Sequence, residues 1–372
     1  MADTRLPAPP VRPAYDGAWL GAIVPALLAD ERPGWMPTAV AGAESVVLLV
    51  VDGLGWNIVS ADAPDIPELR AMDGGPITTC APSTTAAGLT SMSTGVPPGR
   101  HGICGYHLHT PDGVLEVLSW TIPGRVPPAP ESLQVCPPFG GRPVPVVSRA
   151  EFRNTGFTKA YLRGSRLVGW STTAVLVEHT RRLVAAGEGF VTAYYDGVDK
   201  VAHGYGLEDG FFTAEARATD RLVGDLLDVL PPTCALLVTA DHGHVHLAAT
   251  PRRSLDAVAR WCAAFSGDAR CRYLHATPGR AGTLAAAAAE AYGDEAWVMT
   301  RDEFVDDGWL GPEVRDRVIA SVGDVVVAAH APVIYPAPDH PGEGDLRAHH
   351  GSFTADEMLV PLLAARGRGP RD

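Results

Sequence analysis

The sequence predicts an α/β fold with a mostly parallel central sheet, helices on both faces and a smaller inserted α+β subdomain. Three apolar runs are typical of strands buried on both faces: Ser45–Val51, Phe190–Tyr195 and Cys234–Thr239. Segments with apolar residues at helical spacing lie between these runs, at 172–186 and 213–230. Because strands and helices alternate, the strands are expected to run parallel.

The remaining segments divide the chain further. Residues 1–44 are expected to form an N-terminal arm and first helix, and residues 45–243 and 342–372 a catalytic core. The region 244–341 mixes short strands, at 297–299 and 324–328, with an Ala-rich helix at 284–291, and is predicted to be the inserted subdomain. The Pro-rich segment 123–145 is predicted to be a long surface connection.

Composition restricts the partners. The 372 residues carry a formal net charge of −13, which leaves no basic surface suited to nucleic acid. The chain shows neither an apolar run long enough for a membrane span nor a secretory signal, so no membrane partner is expected. Its cysteines are scattered without metal-binding spacing, which favours reduced thiols and a cytoplasmic protein.

Acidic residues and histidines follow each of the three predicted strands. Asp52 follows the first strand, Asp199 and His203 lie four residues apart after the second, and Asp241 and His242 follow the third. In open α/β sheets, ligands bind outside the carboxyl ends of the strands. Carboxylates and imidazoles without thiolates suit a divalent ion in an open catalytic site. Each element alone also fits a turn or a helix cap, and their joint occurrence favours a metal site.

A hydroxyl-rich segment, APSTTAAGLTSMSTG at 81–95, contains a predicted helix at 85–93. Ser83 and Thr84 suit the start of a helix, where such residues are favoured without any catalytic role. A hydroxyl at that place becomes a nucleophile if a base or a metal ion lowers the cost of its deprotonation. The residues alone do not decide which of the three, Ser83, Thr84 or Thr85, has this role.

Several motifs of the chain resemble the alkaline phosphatase superfamily, and within it the nucleotide pyrophosphatase/phosphodiesterase branch. They are VVDGLG at 50–55, STTAAGLTSMSTG at 83–95, PPGRHGI at 97–103, DKVAH at 199–203, TADHG at 239–243 and HHGSF at 349–353. The motifs occur in the order of the family and span most of the chain. The resemblance therefore implies an alkaline phosphatase-like fold.

The resemblance also implies roles for single residues. Asp52, Asp241 and His242 correspond to the ligands of one divalent ion. The ligands of a second ion correspond to Asp199, His203 and His350. The nucleophile of the family, which lies nine residues before the Thr of a Thr-Gly pair, corresponds to Thr85. Zinc is the expected metal, with manganese or iron as alternatives, because Asp and His ligands bind all three.

The chain departs from the family pattern at a few positions. Ala202 stands where branch members usually have a Gly, and Tyr106 where phosphodiesterases usually have an Asn that holds a phosphate oxygen. Tyr106 is therefore a candidate substrate contact, and His107, Arg163 and Arg166 are candidates for the contact that the Asn would make.

Three further histidines lie next to the predicted ligands. His244 and His246 are expected to belong to an exposed strand or loop, because the site already has enough ligands. His349 is expected to be a neighbour of the ligand His350 and not a ligand itself.

The sequence thus predicts a two-metal hydrolase of phosphate esters, a phosphodiesterase/nucleotide pyrophosphatase that forms a phospho-threonine intermediate on Thr85 and acts on a small phosphorylated substrate such as a nucleotide. A phosphomonoesterase or a phosphonate hydrolase is the alternative. A metal-dependent mutase and a non-catalytic metal-binding protein are less favoured, because all six ligands and Thr85 are present. The sequence contains no indication of the oligomeric state.

Overall fold

The structure is a computed structural model that describes residues 8–62, 64–247 and 251–369. The start of the predicted N-terminal arm (1–7), a short part of the predicted insertion (248–250) and the end of the predicted core (370–372) lie outside these ranges.

The strands of the described residues are β1 Ser45–Val51, β2 Asp73–Thr78, β3 His107–Thr110, β4 Gly113–Glu116, β5 Pro145–Arg149, β6 Arg166–Trp170, β7 Phe190–Tyr195, β8 Cys234–Thr239, β9 Val245–His246, β10 Cys262–Gly267, β11 Cys271–Ala276, β12 Ala296–Thr300, β13 Val325–Ala329, β14 Ala348–His349 and β15 Leu359–Arg366. All three predicted strands are confirmed, as β1, β7 and β8.

The helices are α1 Leu20–Leu28, α2 Trp56–Ser60, α3 Pro67–Ala71, α4 Thr85–Thr94, α5 Pro98–His101, α6 Pro130–Leu133, α7 Gly156–Tyr161, α8 Thr173–Ala185, α9 Gly197–Tyr205, α10 Gly210–Val229, α11 Asp256–Ala259, α12 Ala281–Tyr292, α13 Arg301–Asp306, α14 Asp316–Ser321 and α15 Ala355–Met358. Short 3₁₀ turns occupy Thr38–Val40, Pro138–Gly141, Ala150–Asn154 and Pro341–Asp345. Among the described residues, no helix combines the length and hydrophobicity needed to cross a bilayer.

The central sheet of the described chain has the strand order β2-β15-β8-β1-β7-β5-β6. β1 pairs in parallel with both β7 and β8, and β5 pairs in parallel with β6 and β7. β15 is antiparallel to β8 and β2 at one side of the sheet. Every residue of β1 is buried, as its continuous run of Val and Leu predicts for a strand covered on both faces. The mostly parallel α/β fold is therefore confirmed.

A second sheet, with the order β12-β13-β11-β10-β3-β4, has antiparallel pairs throughout its described strands. β10 to β13 come from the predicted insertion at 244–341, and β3 and β4 come from 107–116, ahead of it in the chain. The second sheet is thus built from two separate parts of the sequence, while the domain boundaries given above stay a prediction.

The Pro-rich segment 123–145 is not purely a surface connection. Val126 is 87% exposed, as expected of a surface loop, but Leu133 and Phe139 are buried in the main core. Apolar side chains therefore anchor the segment, through α6 and the turn Pro138–Gly141.

A buried ion pair connects the second sheet to the loop that carries His350. Arg270, just before β11, and Glu357, in α15, have fully buried side chains and form two hydrogen bonds, of 2.7 and 2.9 Å. The guanidinium also donates to the carbonyls of Ala331 and Val333, and Glu357 accepts from the backbone N–H of Ser352. The charges are paired and hydrogen-bonded, which makes their burial tolerable.

Removal of one charge from this pair should destabilise the protein strongly. In Glu357→Gln the guanidinium of Arg270 stays buried without a counter-charge, and we expect a loss of about 3–5 kcal/mol in the free energy of unfolding. Urea denaturation measures it. The matched control is Asp345→Asn in the exposed Arg252–Asp345 pair, where a loss of about 1 kcal/mol or less is expected. Equal losses in the two variants would show that the buried pair has no special importance.

Candidate active site

The carboxyl ends of three adjacent strands, β8, β1 and β7, bring the predicted acidic residues together. Asp52 follows β1, Asp241 follows β8 by one residue, and Asp199 lies in the first turn of α9, which begins after β7. The backbone N–H of Asp199 donates to the carbonyl of Asp52 at 3.1 Å, and the N–H of Gly53 donates to Asp241 Oδ1 at 3.2 Å. Backbone hydrogen bonds thus hold the three carboxylates close to one another.

Asp52, Asp241 and His242 form the first group of possible metal ligands. One donor atom from each lies within 4.8 Å of the other two. His242 Nε2 is 3.3 Å from Asp52 Oδ1 and 3.7 Å from Asp241 Oδ2. All three side chains are buried, which is expensive for carboxylates that lack a cation.

The second group contains Asp199, His203 and His350, whose donor atoms also lie within 4.8 Å of one another. Asp199 and His203 face each other across one turn of α9, with Oδ1 and Nε2 3.1 Å apart, as their spacing predicts. His350 Nε2 is 4.0 Å from the same carboxylate oxygen. His350 reaches this place because β14, just before it, pairs with β9, just after His242.

Backbone carbonyls orient all three of these predicted histidine ligands. The Nδ1 atoms of His203, His242 and His350 lie 2.8, 3.1 and 2.9 Å from the carbonyls of Ala348, Gly243 and Ser83. A ring that donates its Nδ1–H presents an Nε2 lone pair, which is how histidine ligands are commonly fixed. The hydrogen bonds therefore leave Nε2 of each ring directed at the carboxylates.

The donor atoms fit divalent cations. Asp52 Oδ1, Asp199 Oδ1 and Asp241 Oδ2 are buried and accept no hydrogen bond from the described part of the chain. Three carboxylate oxygens that lack donors, opposite imidazole lone pairs, repel one another unless positive charge lies between them. Oxygen and nitrogen donors of this kind suit zinc, manganese or iron.

The pKa values in the site reflect the same crowding. Burial raises the pKa of Asp52 well above its ordinary value, and the carboxylates of Asp241 and Asp199 raise it further. Burial opposes protonation of His242, but the carboxylates of Asp241 and Asp52 outweigh it and raise the pKa to about 10. Without a metal ion, the first group therefore retains protons that a cation has to displace.

Thr85 lies at the start of α4, next to the first group. Its Oγ1 is 3.0 Å from His242 Nε2. Thr84, the N-cap, accepts a hydrogen bond from the N–H of Ala87, which confirms its role at the helix start. Ser83 donates through Oγ to the carbonyl of Ser352 at 2.7 Å and so connects the helix start to the segment after His350. The structure thus gives the three hydroxyls different partners, and only Thr85 is directed at the predicted ligands.

A close approach between α4 and the end of β8 depends on Gly88. A Cβ atom at this position would lie 2.8 Å from the carbonyl oxygen of Asp241. The glycine therefore allows the helix that carries Thr85 to pack directly against the backbone of Asp241, one of the predicted ligands of the first group.

The candidate substrate contacts are dispersed. Tyr106 lines a cavity beside Thr85, but its hydroxyl donates to Glu116 Oε1 at 2.7 Å. His107 is buried on β3, with Nδ1 3.3 Å from Glu343 Oε1.

The structure does not bring the two candidate arginines to the site. Arg163 donates to the carbonyls of Gln134 and Cys136, which hold it in the Pro-rich segment. Arg166 is half exposed and paired with Glu188 at the far edge of the sheet.

The expectation that His244 is exposed is wrong. Its side chain is fully buried, and Nε2 is 3.1 Å from Asp199 Oδ1. His246, two residues further on, is 35% exposed and near Glu208. The alternation of histidines after Asp241 was the signal for His244, because its side chain and that of His242 share one direction.

Tyr194 also contacts the site, through a hydrogen bond from its hydroxyl to Asp52 Oδ2. A tyrosine within an apolar strand carries no sequence signal that separates it from the core. His349 is buried and lines the cavity beside His350.

Two cavities meet at Thr85. The first, of about 390 Å³, lies between the predicted ligands and the second sheet; Tyr106, Asp268, Glu343 and Leu346 contribute to its wall. The second, of about 230 Å³ and called the aromatic cavity below, has four aromatic side chains in its wall, Phe152, Phe157, Tyr161 and Tyr194. Both cavities include Thr85, Leu118 and Asp199. The site therefore has two cavities that share the candidate nucleophile in their walls.

The fold and these ligand groups define a protein of the alkaline phosphatase superfamily. Within it, the chain belongs to the type I phosphodiesterase/nucleotide pyrophosphatase family, whose model matches residues 46–182 and 149–352. The family consists of phosphodiesterase/pyrophosphatase-type hydrolases. No curated protein matches the sequence.

Solved structures agree with the fold. Murine ectonucleotide pyrophosphatase/phosphodiesterase 5 is 14% identical, with a TM-score of 0.68 over 88% of this chain and 91% of that chain. Phosphonoacetate hydrolase from Sinorhizobium meliloti 1021, in complex with phosphonoformate, is 18% identical, with a TM-score of 0.62 over 87% of this chain and 91% of that chain. At sequence identities of 14% and 18%, these similarities show a shared fold and nothing further.

Metal removal should lower thermal stability, and more at pH 8 than at pH 6. Groups with raised pKa values, such as His242 at about 10, stabilise the metal-free fold below their unfolded pKa. That contribution is lost as the pH rises toward the folded pKa, while ion binding, which needs deprotonated ligands, strengthens. When the free ion concentration is a thousand times its Kd, binding of one ion raises the free energy of unfolding by about 4 kcal/mol.

Calorimetry with and without a chelator, followed by zinc addition, measures this difference in Tm at both pH values. His242→Gln should make the difference less dependent on pH. A Tm difference that is the same at pH 6 and pH 8 in the unaltered protein would contradict the assignment of these residues as ligands.

Proposed function

We propose that this protein is a two-metal phosphodiesterase/nucleotide pyrophosphatase that forms a phospho-threonine intermediate on Thr85. Family membership supports a hydrolase of this type. The observation that carries the choice of a diester is the pair of cavities that meet at Thr85. A phosphodiester has two organic substituents, and a phosphorus atom beside Thr85 could extend one into each cavity.

The aromatic cavity suits a planar group. The rings of Phe157 and Tyr161 stack with centroids 4.5 Å apart, and Phe152 and Tyr194 complete the wall. A nucleobase offers the apolar faces that aromatic side chains pack against. Murine ectonucleotide pyrophosphatase/phosphodiesterase 5 has been solved with AMP, in an inactive variant in which a threonine is replaced by alanine. This precedent supports both a nucleotide substrate and a threonine nucleophile.

The residues of the chain have distinct tasks in the proposed reaction. Asp52, Asp241 and His242 would hold one divalent ion, and Asp199, His203 and His350 the other. When bound, the ions supply positive charge that favours the deprotonated hydroxyl and offsets the charge of the phosphate. Thr85 Oγ1, after its proton is released to solvent, attacks the phosphorus atom; the bond to the leaving oxygen breaks, and the leaving group departs as an anion that takes a proton from water. The N-terminus of α4 faces the phosphate, and water then releases it from Thr85.

A phosphonate hydrolase is the second candidate. The specific observation in its favour is Tyr106, which stands where phosphodiesterases usually have an Asn and whose hydroxyl is engaged by Glu116. The structural neighbour from Sinorhizobium meliloti 1021 has been solved with phosphonoacetate and with phosphonoformate.

Zinc is the proposed metal. The cytoplasm is the proposed compartment, because the spacing of the cysteines favours reduced thiols.

Replacement of Thr85 should abolish turnover while leaving the ions in place. We expect Thr85→Ala to lower kcat on the order of 10³-fold or more, because the nucleophile is lost. Thr85→Ser, which keeps a hydroxyl, is the matched control and should retain a larger part of the activity. Activity toward bis-p-nitrophenyl phosphate and metal content by mass spectrometry are the measurements. Full turnover of Thr85→Ala with intact metal content would remove Thr85 from the mechanism.

A substrate panel separates the two candidate functions. Metal-analysed protein is assayed with bis-p-nitrophenyl phosphate, p-nitrophenyl phosphate, a nitrophenyl ester of a nucleoside monophosphate, and phosphonoacetate. The proposed diesterase should show its highest kcat/KM with the nucleoside ester. A phosphonate or monoester rate above all diester rates would overturn the diester assignment.

The aromatic cavity should determine the preference for nucleoside esters. Phe157→Leu removes the ring that stacks on Tyr161 and should lower kcat/KM for the nucleoside ester about three- to tenfold, the equivalent of about 0.5–1.5 kcal/mol. Methyl p-nitrophenyl phosphate, which lacks a base, serves as the reference substrate and should be little affected. Tyr161→Phe, which keeps the ring, is the control variant. Equal losses on both substrates would mean that no base binds in this cavity.

A further inference from the structure

His244 has no hydrogen-bond partner among the described residues. Its side chain is fully buried, and neither ring nitrogen makes a hydrogen bond within the described residues. It lies between His242 and β9, which pairs with β14, the strand before His350. A buried imidazole without partners is unfavourable, so the position calls for a group that interacts with it.

The ring is directed at the candidate metal centre. His244 Nε2 is 3.1 Å from Asp199 Oδ1, and the donor atoms of Asp199, His242 and His244 lie within 4.8 Å of one another. Gly53 leaves room for the ring, since a Cβ atom there would be 2.5 Å from His244 Nε2. Gly53 also has a φ of +75°, which disfavours any other residue.

Two roles are compatible with this geometry: a hydrogen bond from Nε2–H to Asp199, or ligation of an ion. Asp199 Oδ1 already faces Nε2 of His203 at 3.1 Å and of His350 at 4.0 Å, and both of these rings direct Nδ1 at a backbone carbonyl. His244 Nε2 shares this oxygen, and its donor atom lies within 4.8 Å of those of Asp199 and His242, so lone pairs from both ligand groups meet around Asp199, as they would beside a cation. Either role leaves Nδ1 of His244 without a partner in the described chain, so that atom does not distinguish them.

We propose that His244 is a seventh metal ligand, bound to the ion that Asp199 holds. The proposal rests on the two-ion centre proposed above and adds an imidazole to it. Nitrogen donors favour zinc and cobalt over magnesium and manganese, whereas carboxylates favour the latter. His244 would therefore make the Asp199 side of the centre selective for zinc.

Paramagnetic NMR of the cobalt(II)-substituted protein tests ligation directly. A histidine bound to cobalt through Nε2 gives one strongly shifted Nδ1–H signal that disappears in D₂O. We expect four such signals, from His203, His242, His244 and His350, in protein that binds two cobalt ions. His244→Gln, whose amide can still donate to Asp199, should show three. His246→Gln, the control at the half-exposed neighbour, should keep four.

Metal titration of the same proteins gives a second readout that does not depend on activity. His244→Gln should weaken cobalt and zinc binding at one of the two sites by more than a hundredfold, beyond the range typical of residues that only orient a ligand. The affinity of the His244→Gln protein for manganese should change less, because manganese binding depends more on the carboxylate of Asp199 than on imidazole.

The outcomes distinguish the two proposals. Two bound ions with three exchangeable signals, unchanged by His244→Gln, would overturn the role of His244 and leave the two-ion centre intact. Failure of the unaltered protein to bind two ions would overturn the centre itself. Two ions and four signals, reduced to three by His244→Gln, would establish the ligand.

Discussion

The site depends on the mutual repulsion of three crowded carboxylates, the buried ones of Asp52 and Asp241 and the partly buried one of Asp199. Parallel pairing of β1 with β7 and β8 places all of them at one edge of the sheet, and backbone hydrogen bonds keep them there. A fully buried scaffold cannot relax to separate them. The surrounding imidazoles, and the cations that we propose, are the available means to offset this charge.

Long-range contacts hold the other side of the site in place. His350 is far in sequence from β1, β7 and β8. Its Nδ1 donates to the backbone carbonyl of Ser83, which fixes the ring next to Thr85. The Arg270–Glu357 pair binds the segment of His350 to the second sheet. The second sheet therefore contributes to the geometry of the site as well as to the wall of one cavity.

The sequence was sufficient to predict features that depend on local pattern. The apolar run of β1, the four-residue spacing of Asp199 and His203, and the helix start at Thr85 follow from strand and helix periodicity. Features that depend on the path of loops were missed. β3 and β4 join strands more than a hundred residues away, Arg163 is held by carbonyls of the Pro-rich segment, and His244 is buried where an exposed strand or loop was expected. Local pattern contains no information on the distant partners of β3, β4 and Arg163, whereas the alternation with His242 was a local signal for His244.

The two ligand groups differ in charge, and this asymmetry fits the proposed reaction. The group of Asp52, Asp241 and His242 has two carboxylates, whereas the group of Asp199, His203 and His350 has one, or one carboxylate among three imidazoles if His244 belongs to it. A divalent ion keeps more of its positive charge where fewer carboxylates bind it. The imidazole-rich side is thus the better partner for an anionic phosphate oxygen. Thr85 stands against the carboxylate-rich side, through His242, so in the proposed reaction the nucleophile and the phosphate oxygen would be matched to different halves of the centre.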